Sequence, residues 1–451
     1  MNKSNLLSSF SSDYKKYYNV SLFDRLGFVR QRCTVCERFF WSITRKEICP
    51  DHEDYSFIGN PPTAKRFSYT QTWSEIKKFF EKNGHHIVSR YPVVCRWRED
   101  LYYTIASIVD FQRLAENQVI FELPRNPLVV PQMCLRFNDI ENVGITGRHY
   151  TSFCMIGQTC DADSPGGYWK DRCIDLDFSL LVDVLGISPA EITFVEDVWI
   201  GAGAFGSSLE YFVRGLELGN AVFTEFEGNE KNYKVMKNKI IDMGAGLERL
   251  AWITNGTATS YECTFDHVLE KILDQNQIYS SNPFGSEATI RHLLSGYFSR
   301  VSTKLETCND ISLARNQIAR EMGIEVNKLK EIVIPFESLY TIIDHVRTLV
   351  FAISDGSLPS NVGGGYNLRV ILRRSLSLLR QLKLNLNITD VVDLHIEQLS
   401  SMYPELEEYR DDIHTILKIE SERFFETQNR ITTITSRIKK QKNRLNIDDL
   451  L

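Results

Sequence analysis

The sequence lacks the long apolar run of a membrane protein, because none of its uninterrupted apolar stretches approaches the about 20 residues that span a bilayer. Its polar start, Met1 to Asn5, also lacks the apolar core of a secretory signal. There is no net positive charge, since 52 Lys and Arg against 58 Asp and Glu give −6 at pH 7, and any nucleic-acid binding has to depend on local basic surfaces. We therefore expect a cytoplasmic protein with no membrane partner.

The ten cysteines are too scattered for a disulfide framework in 451 residues and fit a reducing compartment. Four candidate metal ligands form two short pairs twelve residues apart: Cys33 and Cys36, then Cys49 and His52. Because such pairs close tight turns around a tetrahedral ion, the spacing predicts a small ribbon with structural Zn²⁺ within residues 1–60. Reduced surface cysteines with an accidental spacing are the alternative.

A strand followed at once by a helix is predicted at residues 239–251, where apolar residues change from strand-like to helical spacing. The turn between them contains Gly244 and Gly246, which let the backbone approach a ligand closely. Asp242 before the turn and Arg249 after it can then face one pocket. A carboxylate beside a guanidinium suits a zwitterion next to a phosphate.

The run from Asp242 through Gly246-Leu-Glu-Arg249 resembles motif 3 of the class II aminoacyl-tRNA synthetases, in the version found in the alanyl-tRNA synthetase family. The stretch 132–153 is similar to motif 2 of that family, most of all in its archaeal branch. This resemblance implies an α+β fold, with an antiparallel sheet flanked by helices in an aminoacylation domain at 61–270. A mainly helical tRNA-recognition domain is implied at 271–451. An α+β domain with an antiparallel sheet is also the default without motif 3.

ATP with Mg²⁺ is the nucleotide that the resemblance implies. Its contacts are expected from Arg136, Arg148, Phe153, Met155, Gly246 and Arg249. A planar guanidinium near a strand end can hold phosphate oxygens at two points and offset charge that develops on them. The alternative for Arg136 and Arg148 is the ordinary one for arginines, a surface salt bridge.

L-alanine is the implied amino acid, with Trp199, Asn220, Asp242 and Gly244 around it. The Trp199 indole would form a wall, Asn220 would hydrogen-bond the substrate carboxylate or carbonyl, and Asp242 would receive the ammonium group. Together with Arg136 and Arg249, Asp242 is expected to be catalytic in the sense of binding the reacting groups. One methylene gives only about 10- to 200-fold discrimination, so glycine and serine are hard to exclude.

The third implied partner is tRNA(Ala). By resemblance, Asn361 reads the G·U wobble pair of the acceptor stem in the shallow minor groove of the RNA helix. A basic helix follows, and its Arg369, Arg373, Arg374 and Arg380 are expected to neutralise phosphates. On residue type alone, Asn361 is a turn former and the arginines are a solvated basic face.

Two residues depart from the family pattern near the site: Cys154 replaces a usual Glu, and Glu225 replaces a usual Gln. They motivate an alternative function, a non-catalytic tRNA-binding subunit; an amino-acid-adenylating paralogue is a third hypothesis. The sequence also stops before the family's next Leu-Tyr-Asp segment and contains no His-x3-His pair. We therefore expect a truncated or split form without editing, with a second chain supplying the remaining domains in the split case.

Overall fold

The computed structural model describes residues 2–115, 118–201, 203–229, 232–279 and 283–442. These residues form two compact units, 1–344 and 345–451. The predicted boundaries near residues 60 and 270 do not coincide with this division, and they stay predictions about functional segments.

The strands all belong to the first unit. Their bounds are β1 Val29–Arg32, β2 Phe39–Ser42, β3 His86–Ile87, β4 Gln112–Ala115, β5 Gln118–Phe121, β6 Leu128–Leu135, β7 Ser152–Asp161, β8 Ile192–Gly201, β9 Ala204–Val213, β10 Leu216–Asn229 and β11 Asn232–Gly246.

The α-helices are α1 Lys3–Ser12, α2 Tyr14–Tyr17, α3 Ser21–Leu26, α4 Tyr69–Lys82, α5 Lys170–Ser179, α6 Leu247–Asn255, α7 Tyr261–Thr264, α8 Asp266–Gln275, α9 Glu287–Cys308, α10 Ile311–Glu321, α11 Val326–Ser354, α12 Gly363–Leu382, α13 Ile388–Leu399 and α14 Arg410–Lys442. Among the described helices, none is long and apolar enough to cross a membrane.

Nine strands form one sheet in the order β1-β2-β8-β9-β10-β11-β7-β6-β3. All neighbours are antiparallel except β3 and β6, which run parallel. Helices α4, α5 and α6 pack against strands β6, β7 and β10. The predicted α+β class, an antiparallel sheet flanked by helices, is confirmed.

The predicted ribbon is part of this sheet. Its two strands, β1 and β2, pair with each other, and Phe40 of β2 pairs with Val195 of β8. Cys33, Phe40 and Cys49 share one buried cluster with Val195 and Phe212. The ribbon is therefore held in place by the main core and does not depend on its own few apolar residues.

The first long helix begins earlier than its sequence pattern suggests. Thr72 and Glu75 have the spacing of a capping box, but the helix starts at Tyr69 and its N-cap is Ser68. The Ser68 hydroxyl accepts from the Gln71 backbone N–H, and the Gln71 side chain accepts from the Ser68 backbone N–H. Thr72 lies inside the helix and donates its hydroxyl to the Ser68 carbonyl oxygen at 2.8 Å. Ser68 and Thr72 both have the sequence pattern of an N-cap residue. Ser68 is the cap because its backbone is extended, whereas Thr72 is already helical.

Helices α12, α13 and α14 pack against one another in the second unit. The turn before α12 requires its glycines. Gly363 has a φ of 56°, and a Cβ on Gly365 would lie 2.4 Å from the Ser360 hydroxyl oxygen. Since Ser360 also donates its backbone N–H to the Gly365 carbonyl at 2.8 Å, the turn presents residues 360–362 in one fixed conformation.

Candidate active site, metal site and helical surface

One face of the central sheet carries the predicted amino-acid-binding residues. Asp242 of β11 lies opposite Val222 of β10 and Thr159 of β7, and Val222 in turn lies opposite Ser208 of β9. In the next row, Asn220 lies opposite Gly244. Directly opposed residues of antiparallel strands share a face, and so do residues two apart along a strand. The structure therefore brings Asp242, Asn220 and Gly244 together, as predicted.

This face contains buried polar atoms without partners. Within the described residues, the Asn220 Oδ1, Thr159 Oγ1 and Ser208 Oγ atoms are buried and make no hydrogen bond. The half-buried Asp242 carboxylate likewise has no hydrogen bond or ion pair to any described residue. An unsatisfied buried polar group costs about 1–3 kcal/mol, so such a cluster is suited to a polar ligand that completes it.

Burial raises the pKa of the Asp242 carboxyl to about 7. Among the described residues, no cation opposes this shift. The folded protein therefore favours the uncharged form, and this group's contribution to stability falls as the pH rises from about 4 through 7. A ligand ammonium would reverse the preference, because an opposite charge favours the carboxylate.

The pH dependence of amino-acid use follows from this shift. Below pH 7 an increasing share of Asp242 is protonated, so kcat/KM for the amino acid in ATP–pyrophosphate exchange is expected to fall about tenfold per pH unit and to level off above pH 7. KM for ATP, measured at the same pH values, is the control and is expected to change little. A level profile down to about pH 5.5 would contradict the assignment of Asp242 as the ammonium ligand.

Trp199 lies on the same face, in the row next to that of Asp242 and on the side away from Asn220. It lies opposite Gly206, which pairs with Thr224, and its indole packs over Gly201, where a Cβ would lie 2.5 Å from the ring. A Cβ at Gly244 would lie 2.9 Å from the Met155 sulfur. Trp199 therefore lies on the face that carries Asp242, on a strand separated from β11 by β9 and β10, and Gly244 faces the Met155 side chain.

Arg136 follows directly after β6 and extends over the same face. Its Nε and Nη2 donate to the Ile105 carbonyl oxygen at 3.0 and 2.7 Å. The guanidinium lies 4.8 Å from the centre of the Phe153 ring, and both side chains are partly exposed. Two predicted nucleotide-binding residues, Arg136 and Phe153, are therefore in contact.

Arg249 lies in the first turn of α6, directly after the strand-to-helix turn that the sequence predicts. Its Nη1 donates to the carbonyl oxygen and to the carboxylate of Glu217, at 3.0 and 2.8 Å. Arg249 and Arg148 both line a cavity of about 600 Å³. Two of the three predicted ATP-binding arginines thus share one cavity, which Arg136 does not line, with Glu217 as a carboxylate that the sequence did not indicate.

The departure at Cys154 does not lie on the face that carries Asp242. Met155, Phe153 and Asp242 share one face, whereas Cys154 lies opposite Met133 with its side chain fully buried on the other. The Cys154 backbone N–H donates to both carboxylate oxygens of Glu248, at 3.0 and 3.1 Å. The Cys154 side chain therefore points away from the face that carries Asp242, Phe153 and Met155.

Glu225, the second departure, occupies a β-bulge between Thr224 and Phe226. Burial lowers the pKa of Lys170 to about 8, and the Glu225 carboxylate opposes this shift from nearby. The charge of Glu225 is therefore met by the lysine, which itself donates to the Ser207 hydroxyl at 3.2 Å. Ser207 and Ser208 lie on opposite faces of the sheet, and the Ser207 side chain is on the face that does not carry Asp242.

The four predicted metal ligands come together. The ligand atoms of Cys33, Cys36, Cys49 and His52 all lie within 4.8 Å of one another, and the Cys36 and Cys49 sulfurs are 3.6 Å apart. Burial opposes a thiolate at Cys33, but backbone N–H donors outweigh it and lower the pKa of this thiol to about 6. Three thiols and one imidazole at this separation fit a tetrahedral Zn²⁺.

Metal removal is expected to unfold this region selectively. Freshly purified, reduced protein should contain stoichiometric zinc, and a chelator should increase hydrogen exchange across residues 33–52, because metal binding contributes folding free energy. The Cys36→Ser variant should lose zinc, and the matched Cys308→Ser variant should keep it. Protein without zinc but with a protected, ordered ribbon would contradict the prediction.

In the second unit, Asn361 is exposed on the turn before α12, and Arg369 holds it. The guanidinium donates through Nη1 to the Asn361 side-chain oxygen and through Nη2 to the Pro359 carbonyl at 3.2 Å. Arg369 also forms a salt bridge with Glu420 at 3.2 Å, and its side chain is only 15% exposed. The sequence predicted that Arg369 neutralises phosphates. In the structure Arg369 instead supports the turn and pairs with Glu420, so this part of the prediction is corrected.

The remaining predicted arginines differ in exposure. Arg373 and Arg380 are exposed on α12, and Tyr366 lies one helical repeat before Arg373 on the same side, 55% exposed. Arg374 is half-buried and has partners of its own. The exposed stripe thus consists of an aromatic ring and two arginines beside Asn361.

Sequence reasoning missed residues whose partners are distant in the chain. Glu248 lies within motif 3, but its role is to hold the β7 backbone and the Tyr69 hydroxyl. Asp344 accepts from the backbone N–H and the hydroxyl of Thr151, the latter at 2.6 Å, and so holds the start of β7. A carboxylate in an apolar stretch was the only available signal, and it does not identify the partner.

The chain as a whole resembles known proteins. A family model described as "tRNA synthetases class II (A)" matches residues 74–451. The alanine–tRNA ligases of Nitrosopumilus maritimus (strain SCM1) and Cenarchaeum symbiosum (strain A) are each 51% identical, over 454 and 453 residues, covering 100% of this chain and 50% of the relative. That of Methanocella arvoryzae is 40% identical over 447 residues, covering 98% and 50%.

The chain therefore belongs to the class II (A) tRNA synthetase family, and the predicted resemblance is confirmed. It spans about half the length of the curated relatives that it matches.

Proposed function

We propose that this chain activates L-alanine with ATP and transfers the alanyl group to tRNA(Ala). The observation that carries the proposal is the sheet face on which the unpartnered Asp242 carboxylate lies one row from the buried, unpartnered Asn220 Oδ1. The names of the relatives support the same reaction.

The amino acid would bind over Gly244 by its two polar ends. Its ammonium group would pair with Asp242, and Asn220 would bind the carboxylate through its amide N–H, or the ammonium through the unpartnered Oδ1. We expect Trp199, on the same face, and Met155, which faces Gly244, to limit the side chain to about the size of a methyl group.

ATP would lie between Phe153 and the arginines. The Arg136 guanidinium lies over the Phe153 ring. An adenine base stacked on the exposed part of that ring would place the phosphates of ATP near Arg136 and Arg249. A carboxylate oxygen of alanine would attack the α-phosphorus of ATP. The bond between this phosphorus and the oxygen that bridges the α- and β-phosphates would break, so that alanyl-adenylate forms and pyrophosphate leaves. Arg136 and Arg249 would offset the developing charge, and bound Mg²⁺ would supply further charge neutralisation.

Transfer to tRNA would use the second unit. The exposed amide of Asn361 can donate and accept in a shallow minor groove, and Arg373, Arg374 and Arg380 would contact phosphates.

The test is ATP–pyrophosphate exchange with each amino acid in turn. Alanine is expected to support exchange, with weaker signals for glycine and serine. Exchange with a different amino acid would assign the chain to an adenylating paralogue. No exchange by folded, tRNA-binding protein would favour the non-catalytic subunit.

A further inference from the structure

The loop that follows the metal-binding turn forms one wall of the arginine cavity. The cavity of about 600 Å³ is lined by His52, Asp54 and Tyr55 from this loop and by Arg148 and Arg249 from the two synthetase motifs. The sequence of this loop carries no motif that indicates a part in substrate binding. Its residues nevertheless stand within the same cavity as the two arginines.

Tyr55 makes the direct connection to Arg148. The Arg148 Nη1 donates to the Tyr55 hydroxyl oxygen, and the guanidinium lies 5.3 Å from the centre of the tyrosine ring. Arginine side chains lose much rotamer freedom when a ligand orders them. A phenol that both accepts a hydrogen bond and stacks beneath the guanidinium reduces this loss by ordering the side chain beforehand.

The tyrosine itself is fixed from two sides. Its ring packs edge-on against Trp252 at 5.7 Å, on the same helix as Arg249, and lies 5.6 Å from Phe57. The loop also packs closely against the turn between β9 and β10, because a Cβ on Gly215 would lie 2.7 Å from the Glu53 carbonyl oxygen. Tyr55 is therefore held against the sheet and helix that carry the other proposed ATP contacts.

We propose that Tyr55 is a positioning residue that orients Arg148 toward the polyphosphate of ATP. This inference rests on the proposed ATP-binding role of the Arg148 and Arg249 cavity. It extends the nucleotide site to a segment outside the synthetase motifs. It also explains why the ribbon is docked on the sheet instead of standing apart.

Calorimetric titration with Mg·ATP and with AMP tests the proposal without requiring alanine activation. The Tyr55→Phe variant keeps the ring and loses the hydroxyl. We expect its Kd for Mg·ATP to rise about tenfold, since the lost bond is to a charged group at a half-buried site, while its Kd for AMP stays unchanged. The matched Tyr409→Phe variant, which changes an exposed tyrosine in the second unit, should bind both nucleotides like the wild type.

A double-variant cycle shows whether Tyr55 acts through Arg148. Arg148→Met alone should weaken Mg·ATP binding, and adding Tyr55→Phe should cause no further loss. Unchanged Mg·ATP affinity in Tyr55→Phe, equal losses for ATP and AMP, or additive losses in the double variant would overturn the inference. Absence of alanine-dependent exchange alongside the expected binding pattern would reject only the proposed function.

Discussion

Replacing Asp242 by asparagine is expected to lower kcat/KM for alanine in ATP–pyrophosphate exchange by about 10²- to 10³-fold. The substitution keeps the size of the side chain and removes its charge. A bound ammonium group then lacks its counter-charge in a half-buried position, which costs about 3–4 kcal/mol. Affinity for Mg·ATP should be unchanged, because no nucleotide contact is assigned to this residue.

The matched control is Asp274→Asn, at an exposed position of α8. It should exchange at the wild-type rate. Wild-type alanine kinetics in the Asp242 variant would remove the ammonium-binding role from Asp242. A parallel loss of Mg·ATP affinity and thermal stability would indicate damage to β11 instead of a lost contact.

Replacing Asn361 by alanine is expected to separate the two steps of the reaction. Charging of a tRNA(Ala) transcript should fall about 10- to 100-fold, since one specific base-edge contact contributes about 1–3 kcal/mol. Alanine-dependent exchange should keep its wild-type rate, because Asn361 belongs to the second compact unit and Asp242 to the first. The measurement is initial charging and exchange rates on the same preparations.

Asn429→Ala, at an exposed position of α14, is the control for this prediction. Equal charging of G·U and G·C acceptor stems by the wild type would contradict a recognition role for Asn361. Loss of exchange together with charging in the Asn361 variant would instead point to structural damage. The support of Asn361 by Arg369 and Glu420 makes such damage detectable as a lower Tm.

The local motifs were predictable because their signals lie within a few residues. The strand-to-helix turn after Asp242 and the Cys and His cluster depend on spacing, apolar periodicity and glycine, and the α+β class follows from the family resemblance of short motifs. Each of these signals is read within one segment. The structure confirms all three.

The failures involve choices that a single segment does not contain. Cys154 and Met155 differ by one residue, and only the strand register decides which of them faces the substrate side. Arg369 has the spacing of an exposed basic stripe, but Glu420, which neutralises it, lies 51 residues further along the chain. Tyr55 carried no signal at all, because its partner Arg148 is 93 residues away.

The non-catalytic alternative loses part of its basis through these observations. It rested on Cys154 and Glu225; the Cys154 side chain lies away from the face that carries Asp242 and Asn220, and Glu225 lies near enough to Lys170 to act on its charge. That face keeps a carboxylate and an amide oxygen without partners in the described chain, beside exposed arginines. A subunit that only binds RNA has no use for this combination.

Binding of a non-hydrolysable alanyl-adenylate analogue, an alanyl sulfamoyl adenosine, tests the central claim most directly because it requires neither catalysis nor a second chain. Calorimetry should show binding by the wild type at least about 10²-fold tighter than by Asp242→Asn, and tighter than binding of the valyl analogue. Equal affinity of the wild type for the alanyl and valyl analogues, or equal binding of the alanyl analogue by the two proteins, would contradict the assignment of this sheet face as an alanine-activating site.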